Sequence, residues 1–409
     1  MENSNDMLMS KNGLRYVLPQ TLSTTVNRTF KKEYAQRSQY GPGDTMVWDW
    51  NTGTSFVDPQ NAMLSMNITV TADNADGTTT IGFGTGSAAN LIEEIRIISK
   101  SGTELDRIQN SNVLTKLISD WQYSTDGRKY LEMSLLGISF AAPADNTTLH
   151  CVIPMKLISG FFRPVVRDML IPAGLASGIR IEITLAQPER ALTIGGAGDT
   201  VAYTISDPEM LLMLHDLNDS TQAIIMSTSA DNGLEYTYPS YFATSVNTAQ
   251  TTINESVKKA VSFATRVFTA VYPIDGGANV NDETNDGFAS IVATQLRQYQ
   301  YRVGSSYYPQ NPVTQPLDAW YVASSTFMKN RDTDIANSVA LADYIENKFI
   351  VGAPLQTHDK FNLSGLPINN SSVLELRLQL AVGGVREVLI FMEYIATART
   401  FINKTDIKI

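Results

Sequence analysis

Apolar and polar residues alternate strictly in two stretches of the chain, Ile179-Arg180-Ile181-Glu182-Ile183-Thr184-Leu185 and Leu374-Glu375-Leu376-Arg377-Leu378-Gln379-Leu380. A period of two marks a strand with one buried and one wet face. Each stretch follows an apolar segment with a Ser-Gly pair: Leu157-Ile158-Ser159-Gly160-Phe161-Phe162 and Phe361-Asn362-Leu363-Ser364-Gly365-Leu366. The Ser-Gly pairs stand 205 positions apart and the strands 195 apart, each about half of the 409 residues. The pattern predicts a β-domain that occurs twice.

Further strands are predicted at 47–50, 63–70 (introduced by Asp58-Pro59), 91–98, 150–153, 203–205 with 210–217, 236–242, 261–272, 296–303 and 388–395. Ser101-Gly102 reads as a tight turn. Between 104 and 121 the period changes: Leu105, Ile108, Val113, Leu114, Leu117, Ile118 and Trp121 fit a 3.6-residue repeat, which predicts a helix. Residues 336–345 read as a second helix and 304–316 as a Pro-, Tyr- and Ser-rich connection. The stretches 73–86 and 275–287, rich in Asp, Asn, Thr and Gly, read as surface loops. The polar run through 218–233 is the expected domain junction. Many short strands with few helices, and no regular βαβ alternation, indicate β-sandwiches. The expected divisions are an N-terminal arm (1–44), a first sandwich (45–225) and a second (226–409).

Charged residues are only 18% of the chain and the formal net charge is −10, so the surface as a whole repels nucleic acid and anionic membrane. The first 40 residues run the other way, with Lys11, Arg15, Arg28, Lys31, Lys32 and Arg37 against Glu2, Asp6 and Glu33. Such an arm is either an ordinary polar terminus or one that touches an anionic surface. The single cysteine, Cys151, allows no internal disulfide. No secretory signal is legible at the start, and no apolar run approaches the ~20 residues needed to cross a bilayer, so a soluble, cytosolically made chain is expected.

A search for chemistry yields no catalytic, cofactor-binding or metal-binding residues. His150, His215 and His358 lie far apart, and no zinc-type spacing exists. His150-Cys151 resembles a thiol dyad, but strand neighbours point to opposite faces, so a structural buried Cys is expected. Gly82-Phe83-Gly84-Thr85-Gly86 and Gly195-Gly196-Ala197-Gly198 lack the Lys-Ser/Thr of a phosphate loop and read as loop tips. Tyr299, Tyr301, Tyr307 and Tyr308 near Arg297 and Arg302 suggest a base-stacking platform or, given the acidic balance, an aromatic contact with another protein chain.

Three stretches, in their order, carry a family resemblance. Asn90-Leu91-Ile92-Glu93-Glu94-Ile95-Arg96-Ile97 running through Gly102 to Ile108 is similar to an early strand–turn–helix of double jelly-roll major capsid proteins, the adenovirus–tectivirus lineage. Gln298-Tyr299-Gln300-Tyr301-Arg302-Val303-Gly304-Ser305-Ser306-Tyr307-Tyr308-Pro309 resembles a stretch in those of Polinton-like viruses and virophages. The paired Ser-Gly-to-strand motifs would be equivalent strands of the two jelly rolls.

The resemblance implies an all-β chain of two tandem eight-stranded antiparallel jelly-roll β-sandwiches with a few short helices. It implies a non-enzymatic structural protein of the virion: a homotrimer of pseudo-hexameric outline that tiles an icosahedral shell. Its implied partners are neighbouring capsomers, penton and minor capsid proteins and, through the N-terminal arm, an internal membrane, with no specific nucleic acid. The other classes weighed are a carbohydrate- or receptor-binding β-sandwich such as a viral spike, and a β-sandwich glycosidase.

Overall fold

Both alternating stretches are strands, Arg180–Leu185 and Leu374–Leu380. Ile181, Ile183 and Leu185 in the first, and Leu374, Leu376, Leu378 and Leu380 in the second, are buried. Each such side chain gives about 1.5–3 kcal/mol on leaving water. The intervening Arg, Glu, Thr and Gln face outward. Leu376→Ala is therefore expected to cost about 2–5 kcal/mol by cavity formation, against about 0.5 kcal/mol or less for its neighbour Arg377→Ala. Urea unfolding of the two variants measures the contrast.

The computed structural model describes residues 25–73, 80–83, 87–123, 129–135, 139–141, 147–166, 169–194, 200–231, 233–274, 290–327, 339–356, 365–401 and 405–408. In the first half, one sheet has the order Thr25–Tyr34, Thr200–Leu217, Phe56–Asp73, Thr147–Pro154. The facing sheet runs Thr45–Asp49, Arg180–Leu185, Ile92–Ile98, Glu104–Gln109. The second half repeats both. Its sheets run Leu234–Thr248, Arg386–Thr400, Val261–Pro273, Ile350–Pro354 and Thr252–Val257, Leu374–Leu380, Leu296–Val303, Ser306–Val313. All pairings are antiparallel. Read in chain order, each half weaves its eight strands between two four-stranded layers in the same way, which is the jelly-roll path. Arg180–Leu185 and Leu374–Leu380 take the same place, second in their sheets.

A row of residues across each sheet can be matched through Pro154 and Pro354, the last residues of their strands. Met63 lies opposite Pro154 on one side and Leu211 on the other, and Leu211 lies opposite Lys32. Arg266 lies opposite Pro354 and Glu393, and Glu393 lies opposite Tyr241. The rows Lys32–Leu211–Met63–Pro154 and Tyr241–Glu393–Arg266–Pro354 are thus counterparts. Helices of 12 residues, Ser111–Gln122 and Pro316–Phe327, occupy the same place between strands in the two halves.

Several expectations are corrected. Thr25–Tyr34 is an edge strand of the first sandwich and not part of a free arm. The helix expected over 104–121 is two elements: Leu105 and Ile108 belong to the strand Glu104–Gln109, and Asn110, in the left-handed region at φ 51°, turns the chain into the helix. Asp58-Pro59 lies inside a strand and not before it, whereas 203–205 and 210–217 form the one strand expected. The segment 304–316 contains the edge strand Ser306–Val313, where Pro309 and Pro312 are tolerated because an edge leaves one side of the ladder unused. The helix Pro316–Phe327 has no counterpart among the expected elements. The expected junction is the helix Asp219–Asp231, and of the expected second helix Leu341–Glu346 is helical. Residues 275–287 and 361–364 lie outside the described residues.

Candidate functional site: the seam between the two sandwiches

The sequence-picked residues do not converge. Cys151 is buried, which pushes its thiol up to about 12, while His150 is exposed on the other face and bonded to Asn67 Oδ1 at 3.0 Å. Tyr299 and Tyr301 are fully buried and donate to the carbonyls of Gly352 and Val351, so they form no platform with Tyr307. Tyr307 stands on the surface, 5.5 Å beneath the Arg377 guanidinium. Gly82 ends the short strand Thr80–Gly82, which pairs with Thr193–Ile194 and Ser139–Ala141; residues 84–86 and 195–199 lie outside the described residues. No cluster among the described residues could hold a metal ion. No helix among them is long and apolar enough to cross a membrane.

Polar chemistry concentrates instead where the two halves meet. The first half contributes the edge strand Glu104–Gln109, the helix Ser111–Gln122 and the segment 155–163. The second contributes the edge strand Leu234–Thr248 and the face of its sheet. Buried inside is Glu393. It accepts from Arg266 Nη2 at 2.5 Å and Nε at 3.0 Å, from the Tyr241 hydroxyl, and from Thr265 Oγ1 at 2.9 Å. Arg163 of the first half donates to the Tyr241 hydroxyl at 2.9 Å and lies 4.0 Å from Glu393. Burial alone would depress the Arg266 guanidinium, but the attraction of Glu393 and Tyr241 outweighs it and its pKa is raised. Burial, reinforced by Glu393, likewise raises the Tyr241 phenol and keeps it a donor.

A second buried centre lies at Asp106. Ser159 of the first half and Ser240 of the second both donate to its carboxylate at 2.5 Å. The hydroxyls of Tyr236 and Tyr238 cross the seam to the carbonyls of Phe161 (2.6 Å) and Leu105 (2.5 Å). Further along, Lys348 pairs with Asp120 at 3.3 Å and Arg190 with Glu387 at 3.1 Å. Trp121 stacks on Phe327 with centroids 5.8 Å apart and meets Tyr344 edge-on at 5.9 Å. This chemistry holds two bodies in one orientation. Asp106 also lines an open pocket with Phe242, Lys259 and Tyr394, and Asp120 and Lys348 line a second with Trp121 and Tyr272.

Burial raises Asp106 to about 6, against the opposing pull of Ser159 and Ser240. An unfolded Asp titrates near 3.9, so between these values the folded chain binds the extra proton. The stability this contributes is present below about pH 4 and lost as pH climbs through 6, about 3 kcal/mol at 1.36 kcal/mol per pK unit. Asp106→Asn is expected to remove that decline. Urea titrations from pH 4 to 7 check it, and parallel curves for variant and parent would refute it.

Sequence reading missed Arg266, Glu393, Tyr241 and Asp106. A signal existed for two of them: a lone charge inside each of the apolar runs 261–272 and 388–395.

No protein-family model and no curated protein matches the chain. Solved structures do, along nearly its whole length, and they place it in the class of double jelly-roll folds. The Faustovirus major capsid protein superposes with a TM-score of 0.64 at 7% identity, over 94% of this chain and 92% of that one. The Sputnik virophage structure gives 0.60 at 11% identity, over 100% and 92%. The mavirus major capsid protein gives 0.54 at 11% identity, over 98% and 93%. The fold of this chain is the double jelly roll found in viral major capsid proteins.

Proposed function

We propose that this chain is the major capsid protein of an icosahedral virus, a non-enzymatic structural subunit that assembles as a trimer of pseudo-hexameric outline. One observation carries the reading: two jelly rolls of identical strand order are locked together by a buried polar seam. A ring of three such chains presents six similar blocks, which is what a hexagonal tile requires. Full-length likeness to capsid proteins of virophages and large viruses supports it. Neighbouring capsomers are then the lateral partners, with penton and minor capsid proteins at special positions and the N-terminal segment turned toward the shell's inner side. Light scattering on the purified protein is expected to give about 135 kDa, three times 44.9 kDa. A monomer at every concentration overturns the reading.

A further inference from the structure

The seam joins two unlike surfaces, and the internal repeat gives each a counterpart: a strand face of the first half, and the helix Pro316–Phe327, which meets the seam at Thr326 and Phe327 and leaves Leu317 and Tyr321 exposed. The surface on the second half is the sheet face of Tyr241, Glu393 and Arg266. Its register counterpart is the face of Lys32, Leu211 and Met63 in the first half. There Val26, Phe30 and Tyr34 of the edge strand are 70%, 55% and 70% exposed, beside half-buried Leu211 and Met213. The surface on the first half includes the edge strand Glu104–Gln109 and the helix Ser111–Gln122. Its counterpart is Ser306–Val313 with the helix Pro316–Phe327, displaced by the same 205 positions as the Ser-Gly pairs. Lys116 and Asp120, buried in the seam, correspond to Tyr321 and Ser325. Leu317 is 56% and Tyr321 67% exposed.

Ten large hydrophobic residues are exposed among the described residues, and six of them (Val26, Phe30, Tyr34, Tyr307, Leu317 and Tyr321) lie on these two surfaces. Contiguous exposed apolar surface marks an interaction site, whereas scattered single residues do not. The charges also complement each other: Arg28 is exposed on the strand face, beside Lys32 and its ion-pair partner Glu209, and Asp318 is exposed on the helix.

We infer that the two surfaces bind each other between copies: the Val26–Phe30–Tyr34 face of one chain receives the Tyr307–Leu317–Tyr321 face of the next. The contact repeats between chains the arrangement that the seam makes within one. It rests on the trimer reading above and assigns the residues of its interface. Because the faces differ, the contact is head to tail, and each chain in a closed ring uses both.

The test uses full-length Phe30→Asp and Tyr321→Asp proteins beside the parent. Each variant alone is expected to be a folded monomer by light scattering and circular dichroism. An equimolar mixture retains one intact pair of faces and is expected to form a heterodimer near 90 kDa, twice 44.9 kDa, but no trimer. Carbodiimide cross-linking of the parent supplies a second measurement that needs no substitution. It is expected to join the 25–34 peptide of one chain to the 316–327 peptide of another. A parent trimer whose variants remain trimeric, or whose interchain links avoid these peptides, overturns this inference and leaves the trimer reading standing. A monomeric parent overturns the trimer reading itself.

Discussion

Glu393→Ala is expected to destabilise the protein by about 3–5 kcal/mol, the scale for breaking a buried ion pair by removing one partner. Among the described residues the carboxylate is the sole buried acid paired with Arg266 and Arg163, and Arg266 is itself almost wholly buried. Without Glu393 the Arg266 guanidinium keeps its charge, since arginine does not deprotonate, and loses the bonds that offset its desolvation. The Tyr241 hydroxyl loses its acceptor at the same time. Replacing both members of the pair, Glu393→Met with Arg266→Leu, is expected to recover most of the loss, because the cost lies in the orphaned charge and not in a missing attraction. Urea unfolding of the single and double variants measures both values. A single variant within about 1 kcal/mol of the parent would show that water reaches the cluster.

How far the sequence reveals this architecture depends on what each face of a strand touches. Arg180–Leu185 and Leu374–Leu380 are legible because each has one face on its own core and one in water, so the period of two is undisturbed. Thr25–Tyr34 is not legible: the residues opposite the core positions Met210, Leu212 and Leu214 are Glu33, Lys31 and Thr29, while Phe30 and Tyr34 point away. Its alternation is inverted, so it reads as polar arm. Glu104–Gln109 fails for a different reason. The second sandwich covers this edge strand, Leu105 and Asp106 are both buried, and with Ile108 they give the spacing of a helix turn. The helix Ser111–Gln122 is buried nearly all round with Asn112, Thr115, Lys116, Ser119 and Asp120 among its residues. Asn112 and Thr115 donate to the carbonyls of Arg190 and Leu157 in the first half, and Lys348 of the second half pairs with Asp120.

The seam is therefore the part of the molecule least legible in the sequence. A buried polar residue in a seam has the same sequence signature as an exposed one, and only the partner's position tells them apart. The repeat is legible, but its consequence is not. Two copies of one fold that bury unlike surfaces against each other leave two unlike surfaces over, and register is needed to say which residues those are.

The Ser-Gly pair that first marks the repeat has a physical reason in the first half, and replacing its glycine is expected to be at least as costly as breaking the ion pair. A Cβ on Gly160 would stand 1.7 Å from the Pro239 carbonyl oxygen and 2.8 Å from its carbon, across the seam. Real contacts are not found below about 3 Å, so the two backbones must part by more than 1 Å. No side-chain rotation relieves the clash, because the obstacle is main chain. Four seam bonds lie within a few residues: Tyr236 to Phe161, Tyr238 to Leu105, Ser240 to Asp106, and Val165 N–H to the Thr237 carbonyl at 2.9 Å. Overpacking alone costs about 1–3 kcal/mol, and each buried group left unpaired adds about 1–3 kcal/mol. Gly160→Ala is thus expected to lose about 4 kcal/mol or more and to expose the seam to limited proteolysis. Gly102→Ala is the control: that glycine has φ +82° with open space around it, so only backbone strain of about 1–2 kcal/mol applies. If Gly160→Ala proves no worse than Gly102→Ala, the close approach of the two sandwiches at Pro239 is wrong, and with it the seam as the element that fixes their angle.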